Sequence, residues 1–357
     1  MDDSIKTYKC PNCGAALTFD SKTQKLHCSH CDTSIDVEAM KALSDTPSGT
    51  DQDNARWNTS DAGSNWSSGE QQGMRSYHCP TCGAELVTDE TTAASTCAYC
   101  GSPVVLSDHL SGAKRPNYVI PFKVDKKTAK ETLKNFYKGK IFLPRAFSAE
   151  NHLEEISGIY VPFWLYSCES KGSFSFDATR THHYTDGDYD VTETEHYLVL
   201  RDGEARFNNI PVDGSSKMDD AYMDAIEPFD YSAITDFHTD YLPGYAAQTY
   251  DEDATACAPR ATARVKNTTI AAIRRTCDYT TLTPRTSKIS TTQNSVDYAL
   301  LPVWMLTTNW HGKSYHFAIN GQTGKLIGDL PIDKGRLFRL LAGITIPLGI
   351  LLKLFIF

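Results

Sequence analysis

The stretch from Cys79 to Cys100 reads CPTCGAELVTDETTAASTCAYC, and an earlier stretch, from Cys10 to Cys31, reads CPNCGAALTFDSKTQKLHCSHC. In each stretch two Cys-x-x-Cys pairs are separated by fourteen residues. Two cysteines three positions apart on a tight turn can direct both sulfurs at one ion, and two such turns on a short β-hairpin complete a tetrahedral site. The repeated stretch therefore predicts two zinc ribbons, each with a closed structural metal site.

The candidate metal ligands are the eight cysteines of these pairs: Cys10, Cys13, Cys28, Cys31, Cys79, Cys82, Cys97 and Cys100. Gly14 and Gly83 follow the first pair of each ribbon, where a glycine permits the required backbone bend. Each ribbon is too small to fold around an apolar core, so we expect two structural zinc ions whose binding is coupled to folding. A rubredoxin-like iron site uses the same ligands, and iron therefore stays an alternative to zinc.

Charge and cysteine usage bear on partners and compartment. The chain has 357 residues and a formal charge of −9, and residues 1–110 hold 7 Lys and Arg against 15 Asp and Glu. Nucleic-acid binders usually present a basic face, so this acidic region disfavours such a partner. The start, MDDSIKTYKC, does not read as a signal peptide, and paired cysteines are typical of metal ligands in a reducing compartment. These features predict a cytoplasmic location for the bulk of the chain.

Residues 44–75 are rich in Ser, Asp, Gly and Asn and show no apolar periodicity. Such a segment buries too little apolar surface to offset its ordering entropy, so the composition predicts a flexible, disordered linker between the ribbon of residues 1–43 and that of residues 76–110. Trp57 and Trp66 interrupt this segment. They are interpreted as isolated exposed aromatics, with anchoring to a partner as the alternative.

The remaining body, residues 111–332, mixes strand and helix patterns. Tyr118 to Val124 reads as a strand, and a helix is expected from the cap Asp125 to Gly139, with Ala129 and Leu133 on its apolar face. A second helix is expected from Ser148 to Ile156, and the turn signals Asp186-Gly187 and Asp202-Gly203 predict an antiparallel meander. The predicted fold class is α+β, with a body built on a mixed, largely antiparallel sheet.

Two stretches of the body resemble each other: YVPFWLY at 160–166 and LLPVWML at 300–306. Both contain Pro-x-Trp in a strand-like setting. We expect Pro162 and Pro302 at strand starts or edges and Trp164 and Trp304 buried. Internal duplication and ordinary core packing both remain open as explanations.

The last 25 residues, 333–357, end in an apolar run. From Leu337 to Phe357 a helix would measure about 31 Å, close to the ~30 Å hydrocarbon thickness of a bilayer. Arg339 and Lys353 near its ends can extend to the two interfaces. The segment predicts a single-pass membrane anchor through residues 337–357 with the amino-terminal bulk in the cytoplasm, whereas a helix docked on the body or lying at an interface is the alternative.

Other polar groups show no catalytic pattern. His182, His183 and His196 lie near three aspartates, Asp186, Asp188 and Asp190, but their spacing matches no metal motif. Three isolated cysteines, Cys168, Cys257 and Cys277, are typical of small buried residues. The stretch from Gly321 to Lys325, GQTGK, lacks the spacing of a phosphate loop and predicts a hairpin turn.

With these residues in view, the chain resembles a family of bacterial transcription-factor-IIB-type zinc-ribbon proteins. The resemblance rests on the two ribbons and on RPNYVIPFKVDK, GIYVPFW, YALLPVWML and FAINGQTGKLIGDLPID. It implies zinc at the eight cysteines and a membrane segment at the tail. Asp32 follows the last cysteine of the first ribbon where Gly101 follows that of the second, a departure from the family pattern at the first site.

The sequence therefore favours a membrane-anchored zinc-binding protein that acts as a scaffold for protein partners, not an enzyme. Two weak binding modules on one chain gain effective concentration without new contacts, which gives the repetition a physical purpose. Nucleic-acid recognition by the ribbons is the alternative. An enzyme with a site in the body is a third possibility.

Overall fold

The protein is described by a computed structural model covering residues 8, 10, 15–30, 34–38, 40, 55–92, 94, 96–107, 112–144, 147 and 155–356, with side chains to 351. Its helices are α1 Lys126–Tyr137, α2 Asp220–Ala225, α3 Ala254–Arg274 and α4 Lys334–Ile356. Its strands are β1 Thr18–Asp20, β2 Lys25–His27, β3 Ser34–Asp36, β4 Met74–His78, β5 Glu85–Asp89, β6 Val105–Ser107, β7 Tyr118–Val119, β8 Ser157–Asp186, β9 Tyr189–Asp213, β10 Thr235–Asp236, β11 Ala246–Gln248, β12 Thr281–Trp310, β13 Lys313–Asn320 and β14 Leu326–Gly328.

The chain divides into two compact units. The first comprises Met1–Arg56, Cys168–Phe207 and Thr262–Gln293, and the second comprises Trp57–Ser167, Asn208–Ala261 and Asn294–Phe357. In the first unit, β1, β2 and β3 form a small antiparallel sheet with its own cluster of buried side chains, which includes Cys10, Leu17, Leu26, Cys28, Ile35 and Met40. The second unit contains the second ribbon.

The predicted α+β class is wrong, because the protein is mostly β. One large mixed sheet follows the order β10-β7-β12-β8-β11-β5-β4-β6, with β9 on β8, β13 on β12 and β14 on β13. Two of its pairings, β7 with β12 and β8 with β11, are parallel and were not expected from the meander pattern.

Strand length is the main source of this error. β8 and β12 each have 30 residues and β9 has 25, far beyond the usual 3–10. Hydroxyl side chains join their solvent-facing parts, as in the Thr179–Thr281 pair at 2.6 Å. Asp186-Gly187 does form a hairpin turn, but Asp202-Gly203 lies inside β9, where the sequence predicted a break.

Helix α1 confirms the prediction for its segment. Asp125 caps it by accepting a hydrogen bond from the Thr128 amide at 2.7 Å, and Ala129 and Leu133 are fully buried. The lysine-rich opposite face is solvated, as expected for an amphipathic helix. The predicted helix from Ser148 to Ile156 falls largely outside the described residues.

The linker prediction is wrong for its described part, residues 55–75. Trp57 packs edge-on against Tyr166 with ring centroids 4.9 Å apart, and Trp66 packs against Phe237 at 6.0 Å. The Trp66 indole also donates to the carbonyl of Ala113 at 2.9 Å. The two tryptophans supply the apolar contacts that the surrounding composition lacks, so residues 57–75 pack within the second unit.

The predicted membrane anchor is also wrong. Residues 334–356 are helical, but no helix among the described residues combines the length and apolar character needed to cross a bilayer. Lys334, Arg336 and Arg339 occupy the start of α4, and Arg336 donates to the carbonyl of Leu143 at 3.1 Å. The uninterrupted apolar run that follows in the sequence, Leu340 to Leu352, would extend about 20 Å as a helix, short of the ~30 Å hydrocarbon layer. The predictions of a membrane partner and of a single-pass membrane localisation are therefore wrong as well.

The first Pro-x-Trp stretch lies within β8, at what we call the Trp164 junction. The Pro162 carbonyl accepts a hydrogen bond from the Gly214 amide at 2.9 Å, and the Trp164 indole donates to the Glu252 carbonyl at 2.9 Å. Glu252 immediately precedes Asp253, whose side chain accepts from amides in the first turn of α3. The indole therefore fixes the start of α3.

The second stretch repeats this arrangement within β12, at the Trp304 junction. The Pro302 carbonyl accepts from the Gly321 amide at 2.8 Å, and the Trp304 indole donates to the Val124 carbonyl at 2.8 Å. Val124 immediately precedes Asp125, the cap of α1.

The two junctions share a requirement for glycine. A Cβ on Gly214 would lie 2.7 Å from the Trp164 indole nitrogen, and one on Gly321 would lie 2.6 Å from the Phe122 ring. Trp164 and Trp304 are buried, as expected. Both prolines lie inside long strands of the sheet path and not at strand starts or edges, which corrects that expectation.

Replacing Trp164 or Trp304 by phenylalanine removes one indole hydrogen bond and leaves a carbonyl without that donor. We expect each variant to lose about 1–3 kcal/mol of unfolding free energy. Urea unfolding followed by circular dichroism measures the loss, and Tyr189→Phe at a 76% exposed residue serves as the control. Losses for both tryptophan variants no larger than that of the control would show that the junctions do not stabilise the fold.

Asp213, at the end of β9, is a buried carboxyl next to the Trp164 junction. Its Oδ1 accepts from Arg260 at 2.9 Å, while its Oδ2 is buried without a hydrogen-bond partner. Burial, only partly opposed by the charge of Arg260, raises the pKa of Asp213 from 3.8 to about 6. Between these two values the folded state binds more protons than the unfolded state.

The resulting pH dependence can be tested with Asp213→Asn. The contribution of protonated Asp213 to stability is present at low pH and is lost as the pH rises through 6. From pH 5 to pH 7.5, we expect the unfolding free energy of the wild type to fall by roughly 1 kcal/mol relative to the variant. Chemical denaturation at both pH values tests this. A constant difference between the two proteins would contradict it.

Candidate metal centre

The second ribbon brings its four cysteines together from two turns of one small sheet. Cys79 directly follows β4, and the turn containing Cys82 leads into β5. β4 pairs antiparallel with β5 on one side and with β6 on the other. The turn containing Cys97 and Cys100 precedes β6, so the sheet places both turns at the same end.

Both cysteine turns have the same backbone geometry. In the first, the Cys79 amide donates to the Ala84 carbonyl at 2.9 Å and the Gly83 amide donates to the Cys79 carbonyl at 2.8 Å. The turn from Cys97 to Gly101 repeats these bonds at 2.8 and 2.9 Å. Gly83 and Gly101 have φ of +72° and +71°, a conformation that a side chain disfavours. This explains the Cys-x-x-Cys-Gly pattern.

The four sulfurs form one compact cluster and fit a metal ion. All four lie within 4.8 Å of one another, with Cys79–Cys100 at 3.5 Å and Cys82–Cys97 at 3.6 Å. A tetrahedral zinc site with Zn–S of ~2.3 Å requires sulfurs ~3.8 Å apart. The sulfurs are too far apart for disulfides, whose S–S length is ~2.05 Å. The cluster is therefore suited to one tetrahedral ion.

The thiols differ in their electrostatic surroundings. Burial raises the pKa of Cys82 and of Cys97. Burial also acts to raise the pKa of Cys79, but hydrogen bonds from the amides of Cys82 and Thr81 outweigh it and lower that pKa. A metal must displace the remaining protons, so binding at this site releases protons.

Tyr99, between the last two cysteines, ties the cluster to the second unit. Its hydroxyl donates to Gln248, and Gln248 in turn donates to the Ser215 hydroxyl at 2.6 Å. Thr307 donates to the Tyr99 carbonyl at 2.7 Å. Burial raises the pKa of Tyr99 well above its ordinary value, so the hydroxyl stays a neutral donor.

Apolar packing reinforces this attachment. Cys79 and Cys97 belong to the same buried cluster as residues of β8 and β12, among them Ile159, Phe163 and Val303. β5 also pairs with β11, Ala247 opposite Val87. The second ribbon is thus part of the second unit's core.

The first ribbon is described only in part. Cys10 and Cys28 are both buried, and the Cys10 amide donates to the Ala15 carbonyl at 2.7 Å, matching the Cys79–Ala84 bond. Cys13 and Cys31 lie outside the described residues. A four-thiol site in the first ribbon, and with it a second zinc ion, stays a prediction.

The other candidate groups do not assemble into a metal site within the described residues. His182 lies 3.8 Å from Glu195 and His183 lies 3.0 Å from the Thr192 hydroxyl, all on exposed strand surface. Cys168 and Cys257 are buried and Cys277 is half-buried. GQTGK joins β13 to β14 as a tight turn, as the sequence predicts.

Sequence reasoning missed the residues that surround the cluster. Tyr99 and Gln248 are 149 positions apart, and Lys217, whose ammonium lies near the Gly83 turn, lies in a stretch without a motif. Local sequence patterns cannot reveal such long-range contacts.

Comparison with known proteins gives a full-length relative. The chain is 36% identical over 351 residues to the uncharacterized protein YdjG of Bacillus subtilis (strain 168), covering 98% of this chain and 97% of that protein. No protein-family model matches the chain, so the zinc-ribbon family resemblance stays a prediction. No solved structure matches it.

Replacing Cys97 by serine should remove one metal ion per chain and destabilise the second unit, since Cys97 lies in that unit's core. Elemental analysis of the purified protein gives the metal content, and visible absorption separates a zinc site from a coloured iron site. The control is Cys277→Ser, a half-buried thiol remote in sequence from the ribbons. Equal metal content in the Cys97→Ser and control variants would exclude this cluster as the site.

Proposed function

We propose that the chain, which belongs to the same family as YdjG, is a zinc-binding scaffold protein that presents binding surfaces to protein partners. The observation that carries the proposal is the closed set of four thiols at Cys79, Cys82, Cys97 and Cys100. Four protein ligands fill a tetrahedral zinc shell, whereas catalytic zinc keeps one position open for water or substrate. Such a centre has a structural role.

The attachment of the second ribbon supports a division of roles between the two ribbons. Tyr99, Gln248 and Ser215 bond the second centre into the core, so its metal would hold the second unit together. The first ribbon has a sheet and buried cluster of its own, and Phe19 on its strand β1 is 54% exposed. We propose that this first ribbon is the partner-binding module.

Charge favours a protein over a nucleic acid as that partner. Residues 1–110 carry 15 acidic against 7 basic side chains, which opposes contact with a phosphate backbone. Within the first ribbon itself, residues 1–43, 6 acidic and 5 basic side chains nearly balance, so the exposed Phe19 suits an apolar contact on a protein partner.

The test is crosslinking of the full-length protein in cells, followed by identification of attached proteins and nucleic acid. The Phe19→Ser variant should lose a specific set of protein crosslinks, while Tyr189→Ser, at another exposed aromatic, should keep them. The Cys10→Ser/Cys28→Ser variant should lose the same set. Attached nucleic acid released by raised salt, or crosslinks indifferent to the first ribbon, would contradict the proposal.

A further inference from the structure

We propose that Lys217 is a positioning residue for the Cys79, Cys82, Cys97 and Cys100 centre, where its ammonium favours the metal-bound, thiolate form. This inference rests on the proposed zinc binding at that centre. It assigns a role to a residue that is distant in sequence from all four cysteines.

The geometry places the positive charge beside the first cysteine turn. The Lys217 side chain is only 18% exposed, and its Nζ lies 3.8 Å from the position that a Cβ on Gly83 would occupy. Gly83 immediately follows Cys82, so the ammonium lies beside the first cysteine turn. The hydrogen bond to Asp251 raises the pKa of Lys217, so the side chain stays charged.

Neighbouring contacts fix the ammonium in this place. Lys217 Nζ donates to Asp251 at 2.8 Å, and Asp251 also accepts from the Ser216 amide at 2.8 Å and the Ser216 hydroxyl at 2.6 Å. The Lys217 amide donates to the hydroxyl of Ser215, the residue that accepts from Gln248. The lysine is therefore held by the same polar network that anchors Tyr99.

A charge at this position has a clear electrostatic effect. A divalent ion with four thiolates carries a net charge of −2, which is costly to bury without compensation. A half-buried ammonium is screened less than a solvated one, so it stabilises the thiolates more strongly. Removal of groups that support metal ligands from outside the coordination shell commonly weakens metal affinity 10–100-fold.

The test uses Lys217→Met in the full-length chain, with Cys10→Ser/Cys28→Ser as the common background so that zinc at the second centre alone is measured. Competition with a chelator should show zinc affinity 10–100-fold weaker than in the background protein. Lys217→Arg should restore most of it. Lys123→Met is the matched control, because Lys123 also pairs with an aspartate, Asp230 at 3.9 Å.

Lys217→Gln covers the case in which the methionine variant does not fold, since glutamine can still donate to Asp251 without carrying the charge. In both neutral variants the pH at which half of the zinc is released should move upward, because the thiolates lose a stabilising cation. Zinc affinity and release pH equal to those of the background protein would overturn the inference. A background protein that binds no zinc would instead overturn the proposed zinc binding.

Discussion

Four clustered thiols, two of them buried and two half-buried, impose the main constraint on this structure. Thiols can be buried individually as small apolar groups, but four sulfurs within 4.8 Å of one another need a shared positive charge once they ionise. The adjoining residues follow from this need: two glycine turns bring the sulfurs together, and Tyr99, Gln248 and Ser215 satisfy the polar groups between the turns and the sheet. The first of these turns joins β4 to β5, and β11 pairs with the other side of β5.

Features that depend on neighbouring residues could be predicted from the sequence. The Cys-x-x-Cys-Gly turns, the Asp125 cap of α1 and the Asp186-Gly187 hairpin each follow from a few adjacent side chains. The clustering of the four cysteines of the second ribbon could be predicted for the same reason.

Features that depend on distant residues could not be predicted. The parallel pairings of β7 and β11 join segments far apart in the chain, and polar alternation cannot separate one 30-residue strand from several short ones. The 55–75 segment was misread because composition suggested disorder, whereas Trp57 and Trp66 each find an aromatic partner in the second unit. At the C-terminal segment, the whole stretch from Leu337 to Phe357 was taken as the span, although Arg339 and Lys353 limit the uninterrupted apolar run to Leu340–Leu352.

The Trp164 and Trp304 junctions cross over between two parts of the chain. Trp164 lies on the strand that follows α1, yet it holds the start of α3, and Trp304 lies on the strand that follows α3, yet it holds the start of α1. The start of each helix is thus held by a tryptophan from the strand that follows the other helix. The two segments are therefore coupled, because unravelling either strand would release a helix start that lies far away in the chain.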